Sequence, residues 1–255
     1  MRVAALYDIH GNLPALDAVL DEVSRARVDR VVIGGDVLPG PMPRETLDRL
    51  SQIDVPTDFI TGNGDREVVA HLRGTGGSLP DSFRHLIVWT GQQLASADVR
   101  RIDTWPTTIR LTVDGLGDVL FCHATPRDDV EIFTRLSPDA LVLPMMAEAH
   151  ASVVVCGHTH MQFDRNFGTT RVVNAGSVGM PFGEPGAYWV LLGGSPSVEL
   201  RRTMYNFQAA AKTIAATEYP QAKEFAEMNV LSPTPEAEML ERMTAVASAA
   251  PTPRS

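Results

Sequence analysis

Side chains of metal-ligand type stand where apolar runs end. Asp8 and His10 follow Val3 to Leu6, Asp36 follows Val31 to Ile33, and Asn63 follows Phe59 and Ile60. His123 follows Val119 to Cys122, and His158 and His160 follow Val153 to Cys156. Carboxylate, imidazole and amide oxygen together suit borderline divalent ions such as Mn²⁺, Fe²⁺, Zn²⁺ or Ni²⁺, whereas a thiolate set would favour structural zinc. Such groups are costly within a buried strand but tolerable where the strand opens onto a crevice, so their placement argues for one shared site. Glycine accompanies most of them, in Asp8-Ile9-His10-Gly11-Asn12, Gly34-Gly35-Asp36, Gly62-Asn63-Gly64-Asp65 and Gly157-His158-Thr159-His160. A residue without Cβ lets the chain turn sharply and lets ions and substrate approach the backbone.

Bringing these residues together requires strands that end on one edge. Val3 to Leu6 leads through a turn at Gly11 and Asn12 into a helix opened by Pro14, where Leu16, Val19, Leu20 and Val23 recur at the helical period. The pattern repeats with Val31 to Ile33, a Gly/Pro-rich loop, a short helix after Pro43 and a strand near Thr57 to Ile60. This β-α-β-α-β order predicts parallel strands. Residues 66–105 read as a helical cap broken by a loop from Gly74 to Leu79, with Phe83, Leu86, Ile87, Trp89 and Leu94 as its apolar stripe. Ile109 to Val113 and Asp118 to Phe121 read as a hairpin, Pro138 to His150 as a helix, and Val153 to Val155, Arg171 to Val173, Tyr188 to Leu192 and Val198 to Arg201 as strands. The main domain is placed at 1–205 and a helical extension at 206–255. The end of that extension, rich in Ala, Pro, Thr and Glu, is expected to be partly disordered and to contribute little to the metal site.

The order Asp-x-His, Gly-Asp, Gly-Asn-x-Asp, lone His and Gly-His-x-His resembles the calcineurin-like metallophosphoesterase superfamily over roughly Met1 to Glu199. Asp8 to Asn12, His123-Ala124-Thr125-Pro126-Arg127 and Asn174 to Gly179 resemble its small bacterial phosphodiesterases and dinucleoside-polyphosphate hydrolases. The resemblance implies an α/β (α+β) fold, a four-layer αββα sandwich of two mixed β-sheets flanked by helices. It implies two divalent metal ions, Mn²⁺ foremost and Fe, Zn, Ni or Mg as alternatives. One would be held by Asp8, His10, Asp36 and His160, the other by Asp36, Asn63, His123 and His158, with Asp36 as bridge. Asp36, Asn63 and His123 are the expected catalytic residues, and Asn12, Arg127 and Arg66 the expected substrate contacts. The implied reaction is hydrolysis of a phosphodiester, phosphomonoester or nucleotide phosphoanhydride by metal-activated water. The alternative is a metal- and nucleotide-binding regulatory module with little turnover.

Two positions depart from the family pattern. Tyr7 stands where a Ser commonly precedes the first Asp, and Gly64 stands where many relatives carry a histidine that protonates the leaving group. His71, further along the same helical stretch, is the candidate replacement. Other residues carry plainer readings. Asp65 is expected to cap the helix that begins there. Cys122 and Cys156 are expected as small buried hydrophobes, since strand alternation points Cys122 away from the face of His123. His85 and His150 lack a motif, Arg66 and Arg127 are also typical surface residues, and Phe83 and Trp89 are expected in the core.

With 255 residues, 44% hydrophobic and 21% charged, the chain has the composition of one large globular domain with extensions. Its 22 Lys and Arg against 31 Asp and Glu give a charge of −9, which argues against a protein built to grip nucleic-acid backbone. A small phosphorylated substrate, nucleotides included, remains compatible because bound dications reverse the local field. Two cysteines make no disulfide framework, and neither a signal peptide nor a membrane span is apparent, so a cytoplasmic location is expected. Homo-oligomerisation is left open.

Overall fold

A computed structural model describes residues 1–75 and 81–249. The N-terminal part folds as β1 (Val3–Leu6), α1 (Leu13–Ala26), β2 (Arg30–Ile33), α2 (Pro43–Leu50) and β3 (Thr57–Phe59), and its strands are parallel. Helices α3 (Asn63–Leu72), α4 (Asp81–Gln93) and α5 (Ser96–Ile102) follow. The antiparallel pair β4 (Thr108–Val113) and β5 (Gly117–Cys122) leads to α6 (Asp139–Met146), β6 (Val153–Cys156), β7 (Phe163–Phe167) and β8 (Thr170–Asn174). After β9 (Ala187–Leu192) and β10 (Val198–Thr203) come α7 (Phe207–Ala215), α8 (Ala222–Ala226), a π-helical turn Glu227–Leu231, and α9 (Glu236–Ala249).

The strands form two five-stranded sheets, ordered β10-β9-β1-β2-β3 and β4-β5-β6-β8-β7. Side chains alternate across each strand, and that alternation stacks the layers. Val3, Ala5, Tyr7 and Val32 face Val119, Phe121, Val155 and Val173 between the sheets. Ala4, Leu6, Val31 and Ile33 pack outward on Leu16, Val19, Leu20 and Val23 of α1. Leu120, Val154 and Val172 pack outward on Val142, Met145 and Met146 of α6. Each fully buried Val, Leu or Met contributes about 1.5–3 kcal/mol, so both faces of both sheets are secured and the four-layer αββα sandwich follows. Cys122 and Cys156 lie in the outer cluster under α6, as expected of small hydrophobes, and burial pushes both thiols up. The edge strand β7 escapes a sequence reading because Asp164, Arg165 and Asn166 occupy its centre.

The loop expected from Gly74 to Leu79 lies, from residue 76 on, outside the described residues. Beyond it, Ile87 packs into the main core, while Leu86 joins Ala211, Ile214, Tyr219 and Phe225 of the C-terminal helices. Trp89 meets Tyr219 edge-on at 5.3 Å. Phe83 is not core but 52% exposed.

Residues Glu236–Ala249 of the tail form α9, and residues 250–255, on which the rest of the expected disorder falls, lie outside the described residues. Leu240 and Ala247 are buried, Arg135 is ion-paired with Glu236, the Gly183 N–H donates to the Thr234 carbonyl at 2.8 Å, and the Thr134 and Thr244 hydroxyls meet at 2.7 Å. Deleting everything after Ser232 is therefore expected to cost roughly 3 kcal/mol and to lower Tm by roughly 5–10 °C. Calorimetry of the truncated chain checks this, and an unchanged Tm would refute the docking of α9.

Candidate metal centre

The carboxyl ends of β1, β2 and β3 in one sheet and of β5 and β6 in the other converge on one edge, and the expected ligands sit just past them. There the loops after β1 and β2 run together, with Asp8, His10 and Gly11 N–H groups donating to the carbonyls of Gly35, Asp36 and Val37. Five of the candidate ligands adopt left-handed backbone: Asp8 (φ 54°), His10 (47°), Asp36 (50°), His158 (66°) and His160 (58°). Non-glycine residues pay on the order of 1–3 kcal/mol each for strained conformations of this kind, and such strain concentrates at functional sites. The segment Asn174 to Gly179 braces the Asp8 corner: the Ser177 hydroxyl and the Gly179 N–H both donate to the Asp8 carbonyl, at 2.8 and 2.9 Å.

Asp8 Oδ1 lies 3.3 Å from His160 Nε2 and 3.9 Å from both His10 Nε2 and His123 Nε2. It is buried and has no hydrogen-bond partner among the described residues. Asp36 spans the centre, with Oδ2 at 3.7 Å from His10 Nε2 and Oδ1 at 3.6 Å from His123 Nε2. The groups Asp8, His10, His160 and Asp8, Asp36, His123 each bring their ligand atoms within 4.8 Å of one another. One end of the Asn63 amide lies 3.1 Å from His123 Nε2 and 3.0 Å from His158 Nδ1.

Backbone carbonyls set the tautomers. Nδ1–H of His123 donates to Gly34 (3.0 Å), that of His160 to Met180 (2.7 Å) and that of His10 to Pro39 (3.3 Å), which leaves each Nε2 lone pair directed into the centre. Burial, reinforced by His160 for His10 and by His123 for His158, lowers both imidazoles to about 3, so they are neutral at pH 7. Burial also opposes charge on His123 and His160, but Asp36 and Asp8 outweigh it at His123, and Asp8 at His160, raising both. Burial pushes Asp36 up to about 6, against the pull of His123 and with the help of Asp8. At Asp8 burial is overcome by His160, His123 and His10, which hold the carboxyl well below its ordinary range. Lone pairs and carboxylates thus crowd a place where protons or cations must supply positive charge.

The three expected substrate contacts all hold partners within the protein. Asn12 is fully buried and caps α1: its Oδ1 accepts from the Ala15 N–H at 3.2 Å and its Nδ2 donates to the Gly179 carbonyl at 2.9 Å, so both ends of the amide are taken. Arg66 is gripped by Asp129 through two hydrogen bonds of 2.7 and 2.9 Å, and Arg127 by Glu131 at 2.5 and 3.1 Å. Both arginines line a hollow of about 260 Å³ beside His123, but a phosphate must displace a carboxylate to reach either. The signal in the sequence was the spacing of four between Arg127 and Glu131.

Tyr7 does not reach the metal edge. Its ring is buried between the sheets against Gly34 and Gly157, where a Cβ would overlap it, and its hydroxyl donates to the Val155 carbonyl at 3.0 Å. Asp65 does cap α3, accepting from the Gly62 N–H at 3.1 Å, and its other oxygen takes the Leu38 N–H at 2.9 Å. Burial and the nearby Asp36 push its carboxyl up to about 8. His71 lies near the far end of α3, ~10 Å along the axis from Gly64, and is not part of the crevice wall.

That wall is what sequence reasoning missed. A crevice of about 500 Å³ opens on His10, Asp36, Asn63 and Gly64, and its far side is built by Phe83, Phe182, Tyr219, Phe225, Met228 and Met239. Phe182 stacks on His160 with centroids 5.7 Å apart. These residues come from α4, the loop before β9 and the C-terminal helices, and no motif joins them.

Two solved structures share this architecture, and a further protein is similar in sequence. The chain is 24% identical over 245 residues to the uncharacterized protein MJ0912 of Methanocaldococcus jannaschii, covering 86% of this chain and 94% of that one. The crystal structure of hypothetical protein PH1004 from Pyrococcus horikoshii OT3 superposes with a TM-score of 0.77 at 17% identity, over 91% of this chain and 99% of that one. That of a metallophosphoesterase from Sphaerobacter thermophilus gives 0.68 at 22% identity, over 90% and 100%. Residues 1–193, which carry every candidate ligand, match the model of the calcineurin-like phosphoesterase superfamily domain, and the chain belongs to that family.

Proposed function

We propose that the chain is a phosphohydrolase that uses two divalent ions, held by Asp8, His10, Asp36 and His160 and by Asp36, Asn63, His123 and His158, to cleave a phosphodiester, phosphomonoester or nucleotide phosphoanhydride. The observation that carries this reading is Asp8 Oδ1, a buried carboxylate oxygen without a hydrogen bond, facing three imidazole Nε2 atoms. An orphaned buried anion is costly unless a cation meets it. When bound, the ions acidify a water and neutralise phosphoryl oxygens; Mn²⁺ is the preferred ion.

The chain's own residues prepare that chemistry. The carbonyls of Gly34, Met180 and Pro39 hold the imidazoles in the ligating tautomer. The Gly64 N–H, at 2.7 Å from Asp36 Oδ1, orients the bridging carboxylate. At Gly64 no side chain can deliver a proton to the departing oxygen, an aid otherwise worth roughly 10²–10⁴-fold for basic leaving groups. Aryl esters and phosphoanhydrides are therefore the expected substrates rather than simple alkyl phosphates. The same gap favours the second reading, a metal- and nucleotide-binding module with little turnover.

Metal analysis and kinetics decide between them. Purified protein is expected to hold close to two divalent ions per chain, to lose hydrolysis of an activated aryl phosphodiester on exhaustive chelation, and to regain it with Mn²⁺. Full activity after chelation refutes the mechanism. Two bound ions without turnover of any aryl ester leave the binding module standing.

A further inference from the structure

The structure assigns a leaving-group specificity: we propose that the substrate carries a bulky, uncharged, apolar leaving group, seated in the crevice between α4 and the C-terminal helices. This rests on the hydrolytic reading above and extends it to the substrate class. The crevice of about 500 Å³ begins at His10, Asp36 and Asn63, within the size range of small-molecule sites. Phe83 and Met228 are 52% and 55% exposed, large apolar side chains left in water on two elements far apart in sequence, yet both face this one crevice. Such a patch marks a binding surface when it adjoins a reactive centre.

Phe182, stacked on His160, carries the apolar wall up to the candidate ligands. The charges at the wall, Glu224 and Arg242, are of opposite sign and so select no anion. On the other side of the centre, the hollow beside His123 is lined by Arg66, Arg127, Asp128 and Asp129. An ester lying across the centre therefore has a polar side and an apolar side, and the apolar group belongs with the crevice. Met180, Met228 and Met239 add flexible thioethers that adapt to varied shapes. In the reaction the water oxygen forms the new bond to phosphorus and releases a proton to solvent, the ester P–O bond breaks, and the departing oxide takes a proton from solvent.

The test uses the full-length, Mn²⁺-loaded protein and 4-alkylphenyl phosphates from methyl to octyl, whose leaving groups share nearly one acidity. The expected result is a rise in kcat/KM of roughly fourfold per methylene until the crevice is filled. A 4-phenylphenyl ester against a 4-hexylphenyl ester distinguishes a flat aromatic from a flexible chain, and a gain with either supports the proposal. Phe83→Ala and Met228→Ala are expected to flatten the dependence with manganese content unchanged. Titration calorimetry with the corresponding non-hydrolysable 4-alkylbenzylphosphonates is expected to give the same trend in Kd. A trend in Kd without turnover defeats the hydrolytic reading alone. A flat dependence in both measurements, or a preference for 4-hydroxymethylphenyl over 4-alkylphenyl ligands, overturns this proposal.

Discussion

Replacing Asp36 with Asn is expected to lower kcat/KM by roughly 10³-fold, equivalent to about 4 kcal/mol of transition-state stabilisation, and to weaken both metal subsites together. Each of its oxygens faces a different histidine, Oδ2 towards His10 and Oδ1 towards His123, and Oδ1 also accepts the Gly64 N–H. An amide keeps the size but surrenders the charge and one acceptor. His123→Ala, by contrast, is expected to empty mainly the subsite it shares with Asn63, because Asp8, His10 and His160 form a group of their own that does not include His123. Metal content by mass spectrometry alongside kinetics checks both variants. An Asp36→Asn protein that retains two ions and parent turnover would remove the bridge from the mechanism.

Gly64→His is expected to damage the proposed site rather than supply a proton donor to the leaving group. Gly64 is the second residue of α3, and a Cβ there would overlap the Leu38 carbonyl oxygen and stand 3.0 Å from Pro39 Cδ and 3.1 Å from Asp36 Oδ1. Backbone cannot swing aside as a long side chain can, so the loop after Asp36 must shift and carry the carboxylate with it. Overpacking of this kind costs about 1–3 kcal/mol. The displaced Asp36 adds a loss of roughly 10²-fold in kcat/KM, of the size that supporting contacts around metal ligands contribute. Thermal melts and a series of esters of graded leaving-group acidity test this. A Gly64→His protein with the parent Tm and faster hydrolysis of alkyl phosphates would show that the loop has room.

The parts of the fold legible in the sequence are those where one periodicity dominates. Val3–Leu6 and Leu16, Val19, Leu20 and Val23 announce a strand and a helix because burial on one face dictates which positions are apolar. The candidate ligands stood out because polar groups at the ends of such strands need a reason to be there. What stayed hidden depends on neighbours distant along the chain. Gly64 reads as a missing histidine until the Leu38 carbonyl is found against it. Asn12 reads as a substrate contact, and nothing local in the sequence tells that the Gly179 carbonyl takes its amide. The stretch after Ser232 reads as loose because Ala, Pro, Thr and Glu say little locally, whereas Thr234, Glu236 and Thr244 are held by Gly183, Arg135 and Thr134.

The position of β1 between β2 and β9 has a consequence for how the chain is made. One side of β1 can pair as soon as β2 has left the ribosome, but its other edge stays open until Ala187–Leu192 has been synthesised. Asp8 sits at the end of that half-paired strand and waits with it. At typical elongation rates the interval from β2 to β9 lasts roughly 8–30 s, during which an unpaired apolar edge is exposed to other nascent chains. Newborn copies should consequently lean on holdase chaperones until β9 docks, and a translational pause placed before residue 187 should raise the yield of aggregate, while one placed late enough for β9 to have left the ribosome should not.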